Sequence, residues 1–148
     1  MKKEVRILLI VVLTFMLIGV RVIVEPCFYD PLITYFKNDY LHKSIPSLHI
    51  SKYLFNIFLR YFLNTLLSLI IIYLVFKNLK NLIFSIKFYL VAFLILTFIL
   101  FLVLKFNFTE NYIFLFYVRR FLIHPLFLFI LLPAFYYEHI KNKKKPFK

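Results

Sequence analysis

Four long apolar runs, each bounded by charged or polar residues, set the pattern of the chain. They cover about Val5–Val24, Asn56–Phe76, Phe84–Leu104 and Tyr112–Tyr137. A hydrocarbon core about 30 Å thick takes roughly 20 helical residues at 1.5 Å each, so every run is long enough to cross it. In lipid each backbone polar group must be bonded internally, which makes such runs helices. The pattern predicts an all-α, polytopic membrane protein with four transmembrane helices. It reads as a single integral domain over residues 1–148, with an outer loop over about 25–53 and a basic tail over 138–148. No internal repeat or Gly/Ser-rich linker divides it.

The outer loop carries a shorter signal. Asp30-Pro31 has the form of a helix N-cap followed by the first helical residue. Leu32, Phe36 and Tyr40 then recur at i, i+4 and i+8, with Lys37 and Asp39 off the stripe. This predicts a short interfacial helix lying on the outer leaflet. Tyr29, Tyr35, Tyr40, Tyr53 and Tyr112 are expected to form an outer aromatic belt, and Tyr136 and Tyr137 an inner one.

Composition sharpens the class. The 148 residues are 64% hydrophobic and 17% charged, against about half and about a quarter in a soluble domain. A globule of this size cannot hide that much apolar surface, which excludes a soluble single domain. The same figures exclude disorder, and one cysteine excludes a disulfide scaffold. The net charge of +13 falls at the chain ends and between the apolar runs. It therefore points to topology and anionic lipid headgroups, with no nucleic acid implied.

Orientation follows from the lysines and arginines of the short connections. Lys2, Lys3, Arg6, Lys77, Lys80, Lys87, Lys141, Lys143, Lys144, Lys145 and Lys148 fall on one side, and Lys37, Lys43, Lys52 and Lys105 on the other. The eleven-to-four excess puts both termini in the cytoplasm. The first run lacks a small-x-small cleavage site, and Val24-Glu25-Pro26-Cys27 is not a lipoprotein box. It is expected to be a retained anchor.

Charge inside the apolar runs is the strongest pointer to function. An arginine at mid-bilayer costs about 2.5–3.5 kcal/mol on insertion scales, so its placement needs a reason. Arg21, Arg60, Arg119, Arg120 and His124 all sit within runs, the four arginines in the outer half of the membrane and His124 deeper, near the midplane. Their mutual repulsion calls for acidic partners, and Glu25, Asp30 and Asp39 are the candidates. Asn56, Arg60, Asn64 and Ser68 form an i+4 ladder, and Arg120 and His124 repeat that spacing beneath Phe116. Such stripes face other helices, because lipid cannot satisfy them. The competing reading for each arginine is snorkelling to the headgroups. Pro125 and Pro133 remove backbone donors from the fourth run, and a bend beside His124 would open a small polar niche. The binding set expected for acidic groups of a membrane partner, or of lipid, is Arg21, Arg60, Asn64, Arg119, Arg120 and His124.

Catalytic signals are sparse. A Gly-rich phosphate loop and HExxH are absent. His42 and His49 lack a convincing third ligand, so neither metal nor cofactor is expected. Asn107-Phe108-Thr109 matches a glycosylation sequon set against the membrane. Cys27 with Arg119 or Arg120 and His124 would suit thiolate chemistry if they met. The expected role is non-enzymatic. A small oligomeric transporter and a Cys27-dependent hydrolase are the alternatives.

Two stretches carry a family likeness: Phe28-Tyr29-Asp30-Pro31-Leu32, and Phe116-Tyr117-Val118-Arg119-Arg120-Phe121-Leu122-Ile123-His124-Pro125-Leu126-Phe127 with Pro133-Ala134-Phe135-Tyr136-Tyr137. With the length, the four-span plan, Arg60-Tyr61 and Asn64, the chain resembles the exosortase F system-associated proteins. It departs from them at His124, where they carry glutamine. The resemblance implies a bacterial inner-membrane protein that is accessory to an exosortase, a multi-spanning cysteine transpeptidase-like enzyme, or to its sorted substrates. It supplies no catalytic residue.

Overall fold

The computed structural model describes residues 2–38, 47, 49–106 and 112–143. Every regular element among them is helical. Helix α1, Lys3–Gly19, runs into a π-helical turn at Val20–Val24 and a 3-10 turn at Glu25–Cys27. A short α2 follows at Pro31–Lys37, then α3 at Ile50–Phe76 and α4 at Leu79–Lys105. The chain ends with α5, Tyr112–Ile123, and α6, Leu126–Lys143.

The chain from α1 through its π turn, together with α3 and α4, supplies three stretches long and apolar enough to cross a membrane, and α5 with α6 supplies a fourth only if the bent pair is one span. At 1.5 Å per residue the 27 residues of α3 and of α4 reach about 40 Å, longer than a hydrocarbon core. Both start several residues before the expected boundaries, so Lys80 and Lys87 ride on α4 instead of in a loop. The α3–α4 connection is only Lys77-Asn78. Lys77 is left-handed, at φ 50° and ψ 34°, and closes α3. The Asn78 side chain accepts from the Lys80 N–H at 2.9 Å and opens α4.

Helix α3 is the hub, touching α1, α4, α5 and α6. Helix α1 leans on α3 with Leu17 buried, Leu13 partly buried against the core and most of its other apolar side chains exposed. Water would not tolerate that surface; lipid does. The core is filled by large side chains, among them Tyr53, Ile57, Ile72, Leu100, Leu115 and Leu122. Side-chain hydrogen bonds cross between elements. One is Tyr61 Oη donating to the Tyr89 carbonyl at 2.7 Å.

The fourth apolar run is broken rather than merely curved. α5 and α6 meet at 65° across His124-Pro125. Pro125 withholds a donor from the Phe121 carbonyl, and new bonds stabilise the corner: Leu126 N–H to the His124 carbonyl at 2.8 Å, and Leu128 N–H to that of Pro125 at 3.2 Å. Pro133, by contrast, sits inside α6, which continues through it.

The candidate polar centre

The α3 ladder keeps one face, but each rung meets a different partner. Asn56 Oδ1 accepts from the Tyr29 N–H at 3.3 Å. Arg60 Nη1 donates to Asp30 Oδ2 at 3.0 Å. Asn64 Nδ2 donates to the Ile123 carbonyl at 2.6 Å, at the open end of α5. Ser68 is buried one turn deeper, and its hydroxyl has no hydrogen-bond partner among the described residues.

Asp30 is the centre. Arg119 Nη2, from α5, donates to the same Oδ2 at 2.5 Å. The carboxylate side chain is 2% exposed, with Arg60 at 4% and Arg119 at 11%. Asp30 precedes α2, and Pro31 occupies the first turn, but the carboxylate makes no capping bond. It is turned into the bundle, where two guanidinium groups outcompete a backbone N–H. Phe28 and Phe36 lie over Arg60 and Arg119, 5.7 and 5.9 Å from the guanidinium carbon to the ring centre. Tyr53 is fully buried beside these charges. Asp30 Oδ1 has no hydrogen-bond partner among the described residues.

The docking of Asp30 corrects two expectations. The stripe of α2 faces protein, not the leaflet: Leu32 is fully buried and Tyr35 nearly so, and Phe36 meets Phe116 edge-on at 5.2 Å. Tyr53 is a core residue rather than part of an outer belt. Its position seven residues before Arg60 puts it on the ladder's face, a signal present in the sequence. Tyr40 and Asp39 lie outside the described residues, as do His42, Asn107–Thr109 and the side chains of Glu25 and Tyr112.

The adjacent arginines part company, because neighbours on a helix point about 100° apart. Arg119 turns inward and Arg120 outward, where it is exposed with its guanidinium 6.0 Å above the Phe116 ring. Arg120 and His124 were expected to share the inward stripe. Instead His124 leaves the helix at the break, with its N–H on the Arg120 carbonyl at 3.0 Å. His124, Pro125, Ile123, Arg21, Arg60 and Asn64 line a niche of about 10 Å³, closed on the α1 side by Leu17 and Val20. The bend beside His124 does open a polar recess, and Arg21 stands at it, exposed, on the π turn.

Asp30 pairs with two of the four arginines that α3, α5 and the end of α1 bring to this region, a surplus of three positive charges (4 − 1) among the described groups. Cys27 is a free, exposed thiol on the 3-10 turn. Among the described residues no three His, Cys, Asp or Glu side chains group as metal ligands would. Comparison with protein-family models, curated proteins and solved structures yields no match to this chain.

Proposed function

We propose that this chain is a non-enzymatic accessory of the bacterial inner membrane that works beside an exosortase-type sorting enzyme or its substrates, as its family resemblance implies. It holds an acidic group of that membrane partner, or of lipid, at the outward-turned part of the arginine cluster. The carrying observation is the surplus itself: Asp30 occupies Arg60 and Arg119, while Arg120 faces outward. A charge kept at that depth without an internal carboxylate favours an external one, and a guanidinium can grip it with two parallel bonds.

In this reading α5 and α6 cross together as the fourth span, and the lysine excess holds both termini in the cytoplasm. Three crossings would part the termini, so topology is decisive. A reporter fused at Lys148 is expected to read cytoplasmic and one inserted after Lys43 external. An external Lys148 overturns the four-span model.

Partner capture tests the function. The tagged full chain, solubilised from native membranes, should co-purify an exosortase-type enzyme identified by mass spectrometry. Arg120→Lys keeps the charge but loses the planar fork. It should cut recovery about tenfold, the worth of one charge-assisted bond. Full recovery with Arg120→Lys would assign Arg120 to interface anchoring alone, since a lysine also reaches the headgroups.

A further inference from the structure

The niche beside Arg21 backs onto a second feature across Val20. Its wall residue Val20 is shared with an open groove of about 610 Å³ on the seam between α1 and α3. Val12, Phe15, Gly19 and Ile23 form one bank, and Leu63 and Leu66 the other. From Val12 to Ile23 is eleven residues, or about 16 Å of helix. That matches half of a hydrocarbon core about 30 Å thick, the depth of one leaflet. The groove is apolar throughout, while the niche on the other side of Val20 holds an exposed arginine, a half-buried histidine and Asn64. Gly19 contributes only backbone, and a Cβ built there meets nothing within 4 Å. A cationic niche beside a leaflet-long apolar channel has the chemistry of a diacyl phospholipid, phosphate first.

We infer that the α1–α3 seam is a built site for one anionic phospholipid: a phosphate oxygen enters the niche beneath Arg21 and an acyl chain lies along the groove over Gly19. The niche has room for one oxygen, not for a whole headgroup. The remaining phosphate oxygens therefore sit outside it, against the exposed Arg21 guanidinium. The π turn makes this possible, since the widened backbone at Val20–Val24 re-aims Arg21 at the end of a helix otherwise facing lipid. The inference specifies the lipid arm of the proposed function, but it stands on Arg21 and Gly19, whereas partner capture stands on Arg120.

The test reconstitutes the purified full chain in nanodiscs of phosphatidylglycerol and phosphatidylcholine, extracts it into mild detergent, and counts retained lipid by native mass spectrometry. One phosphatidylglycerol per chain is expected, in preference to phosphatidylcholine, with diacylglycerol not retained. Arg21→Gln should lower retention about tenfold, the equivalent of one charge-assisted contact. Gly19→Leu should do the same by filling the groove; it replaces a helix-weakening residue with a helix-forming one in open space, so the fold survives. Lys37→Gln, which removes an exposed charge that lines neither the niche nor the groove, should retain lipid at the unsubstituted level, which separates this site from surface charge in general. Unchanged retention in either Arg21→Gln or Gly19→Leu overturns the proposal. Full displacement of the lipid by soluble glycerophosphate also overturns it, because the site would then read phosphate without the chain.

Discussion

Asp30→Asn is expected to cost the fold about 3–5 kcal/mol, the usual penalty for removing one partner from a buried ion pair. The substitution is nearly isosteric, so packing is not the cause. It takes from Arg60 and Arg119, both largely buried, the carboxylate that they share. Two like charges in a low-dielectric site repel more strongly than they would in water. The structure can relieve them by releasing the segment that carried the acid, which is also held by the Asn56–Tyr29 bond and by buried Leu32 and Tyr35. The measurement is twofold. The thermal midpoint in detergent should drop, and a cysteine at Leu32, shielded in the parent, should become reactive to a membrane-impermeant maleimide in the Asp30→Asn background. A cysteine at exposed Lys37 should label equally in both backgrounds. An unchanged midpoint with Leu32 still shielded would show that the centre does not pin α2.

Asn64→Leu has the second-largest expected effect, about 1–3 kcal/mol, the cost of orphaning a buried hydrogen-bonding group. Leucine fills similar volume, so the loss is the bond to the Ile123 carbonyl. That carbonyl ends α5 at the break, where no downstream turn of the same helix serves it. In lipid no water replaces the donor. The 65° corner should therefore loosen, seen as a lower thermal midpoint and faster hydrogen exchange at Leu126 and Leu128. Thr14→Val is the matched control. The Thr14 hydroxyl bonds the Ile10 carbonyl at 2.8 Å within exposed α1, so its loss should move the midpoint by about 0.5 kcal/mol or less. Equal effects from the two substitutions would remove Asn64 as the support of the break.

The polar centre was partly legible in the chain. The i+4 ladder on α3 and the listing of Asp30 among the acids able to neutralise Arg60 needed only spacing and charge arithmetic. What spacing could not settle was which of Arg119 and Arg120 turns inward. That depends on the rotation of α5 about its axis, and two adjacent arginines about 100° apart on a helix offer two phases that spacing alone does not separate. The outer aromatic belt failed at Tyr53 for a related reason. Tyrosine suits both an interface and a core, and here its place on the ladder's face, seven residues before Arg60, weighs for the core. The α2 stripe was real, but an apolar face buries equally well against lipid or protein, and it was the Asp30 carboxylate that brought it to protein.

The division between sequence and tertiary structure is therefore physical. Hydrophobic runs long enough for a bilayer determine helices, because unsatisfied backbone in lipid is too costly for any other local choice, and this needs no knowledge of neighbours. Proline 125 marks the place where a helix can break, since a missing N–H is a covalent fact. Whether it does break, and by how much, was decided by partners remote in sequence. Asn64 supplies the donor that the end of α5 lacks, while Pro133, in the same run, leaves α6 continuous. The destination of each buried charge belongs to the same class. A guanidinium can snorkel, pair or wait for a ligand, and the energies of the three are close enough that only the packing of α2, α3 and α5 around one carboxylate selects among them.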